Sequence, residues 1–141
     1  MNLGELYTFK YTAKKKPYDR KPHIIFLGET SDYIFGINLN FVPKSLMGQL
    51  VKHINNELLR AGVFDEENIE RVMETKKQIE NEEFFNLLLI ANETSTQNAV
   101  KQVDKRKIKS RTGYVKIMKE TFRIYSKERI EGKIKESRIN K

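Results

Sequence analysis

The sequence predicts a single α+β domain, a small antiparallel N-terminal sheet packed with about three helices. Three features point to it. Residues 1–42 alternate apolar and polar side chains in short runs, apolar residues recur every three or four positions after Pro43, and 141 residues suit one domain.

The first run, Gly4 to Thr12, sets Leu6, Thr8 and Lys10 on one side and Tyr7, Phe9 and Tyr11 on the other, a half-buried strand with an aromatic face. Ala13 to Pro22 mixes lysines with two prolines and reads as an extended loop. His23 to Leu27 is a short apolar run, a central strand. After the polar turn Gly28 to Asp32, Tyr33 to Val42 resumes strand character, and Gly36 within it marks a bulge or a close backbone approach. Three such strands form a meander that Gly36 lets bend towards a barrel.

Pro43 suits the start of a helix, where its missing N–H costs nothing. Leu46, Leu50, Ile54 and Leu58 follow at spacing four, and Gly62 stops the run. Helices are expected near 44–60, 66–90 and 113–129. The second opens on Asp65, Glu66 and Glu67 and turns Ile69, Val72 and Met73 inward, with a polar stretch at 73–78 that is either a break or an exposed part of one long helix. Asn92 to Gln97 reads as a loop, and 92–112 as a basic loop or arm. From Tyr114, the residues Ile117, Met118, Thr121, Phe122 and Tyr125 share a helical face, leaving Lys116, Lys119, Arg123 and Lys127 towards solvent. Ile130 to Asn140 is either a final strand or a frayed tail.

Charge is segregated along the chain. Residues 1–64 hold 9 basic against 5 acidic side chains, residues 65–93 hold 3 against 9, and residues 94–141 hold 15 against 5, leaving a net charge of +8. The alternation is met either internally, acidic segment against basic, or by acidic partners. Cysteine is absent, which excludes disulfides, thiolate metal sites and cysteine nucleophiles and suits a reducing compartment. No apolar run is long enough for a membrane span, and the opening MNLGELYTFKY lacks the order of a signal peptide, so a soluble protein is expected.

The residues offer little catalytic chemistry. His23 and His53 have no motif-spaced partner, so structural roles are expected for both, with no metal and no cofactor. Neither GxGxxG, a phosphate-binding GxxxxGK[ST] nor GxSxG occurs. Asp19 after Pro17-Tyr18, and Glu74 before Thr75-Lys76, echo the carboxylates of a metal-dependent nuclease. Asp65, Glu66, Glu67, Glu70, Glu80, Glu82 and Glu83 lack the spacing of a calcium loop and read as a solvated face. Two basic clusters, Lys14, Lys15, Lys16, Arg20 and Lys21, and Lys105, Arg106, Lys107, Lys109 and Arg111, suit contact with nucleic-acid phosphates or an acidic protein. Tyr11 and Tyr18 flank the first and suit base stacking.

The segment GELYTFKYTAKKKPYDRKPHIIFLG followed by YIFGINLNFVPKSL resembles a family of small virion structural proteins from large contractile-tailed bacteriophages. In that family a tyrosine-rich strand leads through a lysine-rich loop into a PYYDxFPLV-like segment, and a GLNLHYLP-like strand leads into a helix. Gly4, Tyr7, Tyr11, Lys14, Pro17, Tyr18, Asp19, Pro22, Gly36, Asn38, Leu39 and Pro43 stand at the matching places. The second aromatic after Pro17 is missing, and His23 stands where a large apolar residue is usual. Tyr114 to Ile139 is similar, more loosely, to the family's helix-then-strand ending.

The resemblance implies a non-enzymatic component of a phage neck, tail or baseplate, made in the host cytoplasm and packed in several copies against other virion proteins. Some members are described as DNA end protectors, which implies DNA as an alternative partner. Within this pattern Tyr7, Tyr11, Pro17, Tyr18, Asp19, Gly36, Asn38 and Pro43 are expected to define the fold, with Asp19 and Asn38 tying loops to backbone N–H groups.

Overall fold

The computed structural model describes residues 1–13, 19–75, 80–95 and 112–138. Strands β1 (Leu6–Tyr11), β2 (His23–Glu29) and β3 (Tyr33–Asn38) form the expected meander. Helices α1 (Met47–His53), α2 (Glu66–Thr75), α3 (Asn81–Ser95) and α4 (Thr112–Thr121) follow. The chain then returns to the sheet as β4 (Phe122–Ser126) and β5 (Ile130–Glu136). The fold is α+β, with one five-stranded antiparallel sheet in the order β4-β3-β2-β1-β5.

The two edge strands are consecutive in sequence, joined by a single short helical turn at Lys127–Arg129. Across a flat sheet they would lie about 19 Å apart. The four chain steps from Ser126 to Ile130 span at most about 14 Å. The sheet therefore wraps. The Tyr11 hydroxyl on β1 accepts the Ser126 N–H of β4 at 3.1 Å, and the Tyr11 and Tyr125 rings meet edge to face at 5.1 Å. Closure is incomplete, because no ladder joins β4 to β5 among the described residues. The barrel tendency read from the sequence survives as this open wrap.

Wrapping divides the apolar residues between two cores. Tyr7, Phe9, Ile24, Phe26, Ile34 and Tyr125 fill the concave side. Ile25, Leu27, Phe35 and Ile37 face the opposite way, against Leu50, Ile54, Leu58, Phe84, Phe85, Leu88, Met118 and Phe122. Successive residues of β2 and β3 thus enter alternate cores, which is why those strands read as continuous apolar runs. The helix-side core is built on stacked rings, Phe35 to Phe84 at 5.2 Å and Phe84 to Phe122 at 5.8 Å.

Gly36 makes the close approach the sequence suggested. A Cβ there would lie 2.8 Å from the Ile25 carbonyl oxygen and 2.9 Å from Ile24 Cδ1. The bulge is on the partner strand, where the register slips between Phe26 and Gly28. β3 ends at Asn38, earlier than the expected Val42, because the Asn38 side chain accepts the Asn40 N–H at 3.0 Å and starts a tight turn. Pro43, at φ −56°, precedes a second tight turn, Lys44–Leu46, that feeds α1. After His53 the helix widens into one π turn, Ile54–Leu58, and Gly62 at φ +74° ends the segment.

The choice left open within 66–90 falls to a break, since the stretch is two helices, α2 and α3. Two expectations are corrected. The stretch from Asn92, read as a loop, continues α3 to Ser95; polar residues cost a helix only a few tenths of a kcal/mol each, too little to stop one already packed through Phe84, Phe85 and Leu88. The helix placed at 113–129 ends at Thr121, and Phe122 to Ser126 is strand. Phe122 and Ile124 face the helices while Tyr125 faces the concave core, a period of two hidden inside a spacing that also fits a helix. Thr121 Oγ1 bonds back to the Ile117 carbonyl at 2.6 Å, and Arg123 Nη1 donates to the Glu120 carbonyl at 2.7 Å, both at the point of transition. Arg123 and Lys127 are consequently not on a helix face. The C-terminal segment is the strand β5 as far as Glu136. The remainder of the proposed arm, 96–111, lies outside the described residues.

Gly36→Ala should destabilise the fold by about 2 kcal/mol and lower its melting temperature by roughly 6 °C, read by thermal unfolding. An unchanged melting temperature would show that β2 can yield to the added methyl group.

Candidate functional site

The polar residues singled out in the sequence converge at the end of the sheet where β1 leaves and β2 enters. Asp19 Oδ2 accepts from Asn38 Nδ2 at 2.6 Å and from Asn40 Nδ2 at 2.9 Å, while Oδ1 accepts the Lys21 N–H at 3.3 Å. Asn38 is buried, and its second amide hydrogen goes to the Tyr125 hydroxyl at 3.0 Å. Asn40 Nδ2 also donates to the Lys21 carbonyl at 3.1 Å. The expectation that Asp19 and Asn38 tie loops to backbone is met, and the two residues also bond each other.

Burial pushes the Tyr125 phenol well above its ordinary pKa, and the Asn38 hydrogen bond offsets this only in part. The loop is also closed at its base, where the Tyr11 N–H donates to the Arg20 carbonyl at 2.8 Å and Thr8 Oγ1 donates to the Pro22 carbonyl at 2.9 Å. Tyr7 is used structurally too, its hydroxyl accepting the Asn2 N–H at 2.7 Å.

Against this anchor opens a cleft of about 620 Å³ lined by Lys10, Tyr11, Thr12, Ala13, Arg20, Lys21 and Glu131. Lys10, Arg20 and Lys21 are exposed, and none forms an ion pair with a described residue. Glu131 instead accepts Thr12 Oγ1 at 2.9 Å. The pairing of β1 with β2 thus gathers Arg20 and Lys21 with Lys10 from the neighbouring strand. Lys14, Lys15, Lys16, Pro17 and Tyr18, and Lys105, Arg106, Lys107, Lys109 and Arg111, lie outside the described residues.

The other candidates fall elsewhere. Glu74 lines a shallow concavity with Thr30, Ser31, Asp32, Tyr33, Glu70 and Met73, at the Tyr33 end of β3. Asp19 is bonded to Asn38, at the other end, roughly 17 Å along the strand. The two carboxylates of the nuclease motif therefore do not meet. Among the described residues no group of three or more His, Asp or Glu side chains could hold a metal ion. His53 is buried and stacks on Tyr114 at 4.9 Å, and burial holds His23 below the usual imidazole range. No helix among the described residues is long and apolar enough to cross a membrane.

Asn40 and Tyr125 carried no signal as site residues. The Asn38-Leu39-Asn40 spacing is the local clue to the first, a pair of amides flanking a buried leucine on a turn. Tyr125 was hidden by its fit to the helical face ending in β4.

Asp19→Ala should cost about 1–2 kcal/mol in urea unfolding, since it leaves an amide hydrogen of buried Asn38 unpaired. With Asn38→Ala it should be non-additive by at least about 0.5 kcal/mol, and additivity would show that the pair is not coupled. Tyr125 gives a second expectation. Its folded pKa lies above its unfolded value, so its contribution is intact below about pH 10 and declines as the unfolded chain alone ionises above that. The stability of the native chain should therefore fall with rising alkalinity more steeply than that of Tyr125→Phe, and parallel profiles would refute it.

No family model, curated protein or solved structure matches this chain.

Proposed function

We propose that the chain is a non-enzymatic structural component of a tailed bacteriophage virion, present in several copies in the neck, tail or baseplate and in contact with other virion proteins. One observation carries this reading. Five of the described motif residues that resemble the phage family are spent inside the molecule: Tyr7 and Tyr11 brace the wrapped sheet, Gly36 admits the Ile25 backbone and the Ile24 side chain, and Asp19 and Asn38 bond each other. A motif whose polar groups are consumed in holding a shape suits a building block better than a catalyst, which needs groups free to meet a substrate.

The alternative, a virion protein that holds or shields DNA, is favoured by the grouping of Lys10, Arg20 and Lys21 around Tyr11 at an open cleft. Cations at an open cleft suit a phosphate backbone, whereas the Tyr11 ring packs edge to face on Phe9 and Tyr125 and is not free to stack on a base. The nuclease alternative loses support from the separation of Asp19 and Glu74.

Mass spectrometry of purified particles from the phage that encodes the chain should find it at a fixed multiple of a known structural subunit; its absence would end the virion reading. Binding of the isolated chain to duplex DNA should be weak and should not depend on Lys10, Arg20 and Lys21. A steep fall in affinity with salt, flattened by alanine at those three positions, would transfer support to the DNA reading.

A further inference from the structure

We propose that copies of this chain associate head to tail, the cationic mouth of the sheet on one copy docking on the glutamate ridge of α2 on the next. The inference takes its setting from the multi-copy reading above, while its residues come from the placement of charge in the fold.

The mouth carries Lys10, Arg20 and Lys21, all exposed, at the His23 end of β2. The ridge carries Glu66, Glu70 and Glu74, exposed and spaced every four residues along the outer face of α2. It lies at the far end of β2, where Ile69 of α2 approaches Gly28 and where Glu70 and Glu74 share a concavity with Asp32 and Tyr33 of the β2–β3 turn. Seven residues of strand separate the ends by about 20 Å, more than twice the roughly 8 Å over which charges feel each other at physiological salt. The two patches of one copy therefore cannot neutralise each other.

Each patch is also unfavourable alone. Glutamates at spacing four repel along a helix. The cation of α2, Arg71, pairs with Glu67 at 3.5 Å rather than with the ridge, and Glu66, Glu70 and Glu74 form no ion pair with a described residue. At the mouth three cations stand beside two carboxylates, Glu131, which already accepts from Thr12, and Asp19, which already accepts from Asn38, Asn40 and the Lys21 N–H. A second copy brings the opposite charge to both patches at once. Because they occupy opposite ends, the contact is heterologous, and repeated around an axis it closes a ring or runs into a filament.

Sedimentation velocity of the full chain tests this. At about 30 mM salt the native chain should self-associate, and at about 300 mM the association should weaken at least about tenfold. Lys10→Glu with Arg20→Glu and Lys21→Glu should be monomeric, as should Glu66→Lys with Glu70→Lys and Glu74→Lys. Mixing the two triple variants, or combining all six exchanges in one chain, should restore association to within about threefold of the native value, which also shows that the exchanged chains fold. A native chain monomeric at low salt, or six exchanges that fail to restore what three removed, would overturn the proposal. So would a monomeric chain whose mouth binds duplex DNA. A chain that self-associates but is absent from particles would remove the virion reading alone; one present in particles but monomeric would remove this inference alone.

Discussion

A turn of three residues joins strands that occupy opposite edges of one sheet, and the rest of the molecule is arranged around that constraint. Lys127–Arg129 cannot bridge a flat five-stranded sheet, so the sheet wraps, and a wrapped sheet has an inside that must be filled. The aromatic face of β1 fills it. Phe9 and Tyr11 reach Tyr125 of β4 at 5.3 and 5.1 Å, contacts between strands that are third neighbours in the sheet order. The helices then cover the convex face, where Phe35 and Phe122 present rings to α3.

The wrap also explains a buried polar side chain near one end of the concave core. Asn38 points inwards with Tyr125, and every hydrogen-bonding group of its amide is used: the oxygen takes the Asn40 N–H, and the two hydrogens go to Asp19 and Tyr125. A fully satisfied amide in a low-dielectric site fixes geometry, whereas a half-satisfied one would cost more than an apolar residue. Its partners come from the β1–β2 loop, the turn after β3 and the returning strand β4. The cationic end is therefore held in place by the C-terminal part of the chain, more than 80 residues from Asn38. Loss of β4 would release the loop as well as the core.

Local pattern made the N-terminal half legible. Alternation in β1, the apolar run of β2, the close approach at Gly36 and the spacing of Leu50, Ile54 and Leu58 each reflect a rule spanning only a few residues. The errors arose where two local rules fit the same residues. Ile117, Met118, Thr121, Phe122 and Tyr125 satisfy a helical face, and Phe122 to Ser126 also satisfies a strand; pairing with β3, about 90 residues earlier, decides between them. The site was half legible for a related reason. Asp19 and Asn38 stand out as turn formers, but that they bond each other, and that Lys10 joins Arg20 and Lys21, depends on the register in which β1, β2 and β3 pair, which the local pattern leaves open.

The edges of the sheet bear on how such a molecule meets its neighbours. Strand addition is the usual route for an open sheet, and both edges are guarded against it. On β4 the outward N–H groups of Ile124 and Ser126 are taken by Asn81 Oδ1 at 3.2 Å and by the Tyr11 hydroxyl. β5 is kinked at Gly132, φ +74°, shifts register against β1 and exposes Lys133 and Lys135. With backbone pairing hindered at both sides, any contact with a partner would fall to side chains. The net charge of +8 describes those ends poorly, because it averages a cationic mouth and an anionic ridge that a partner would meet one at a time.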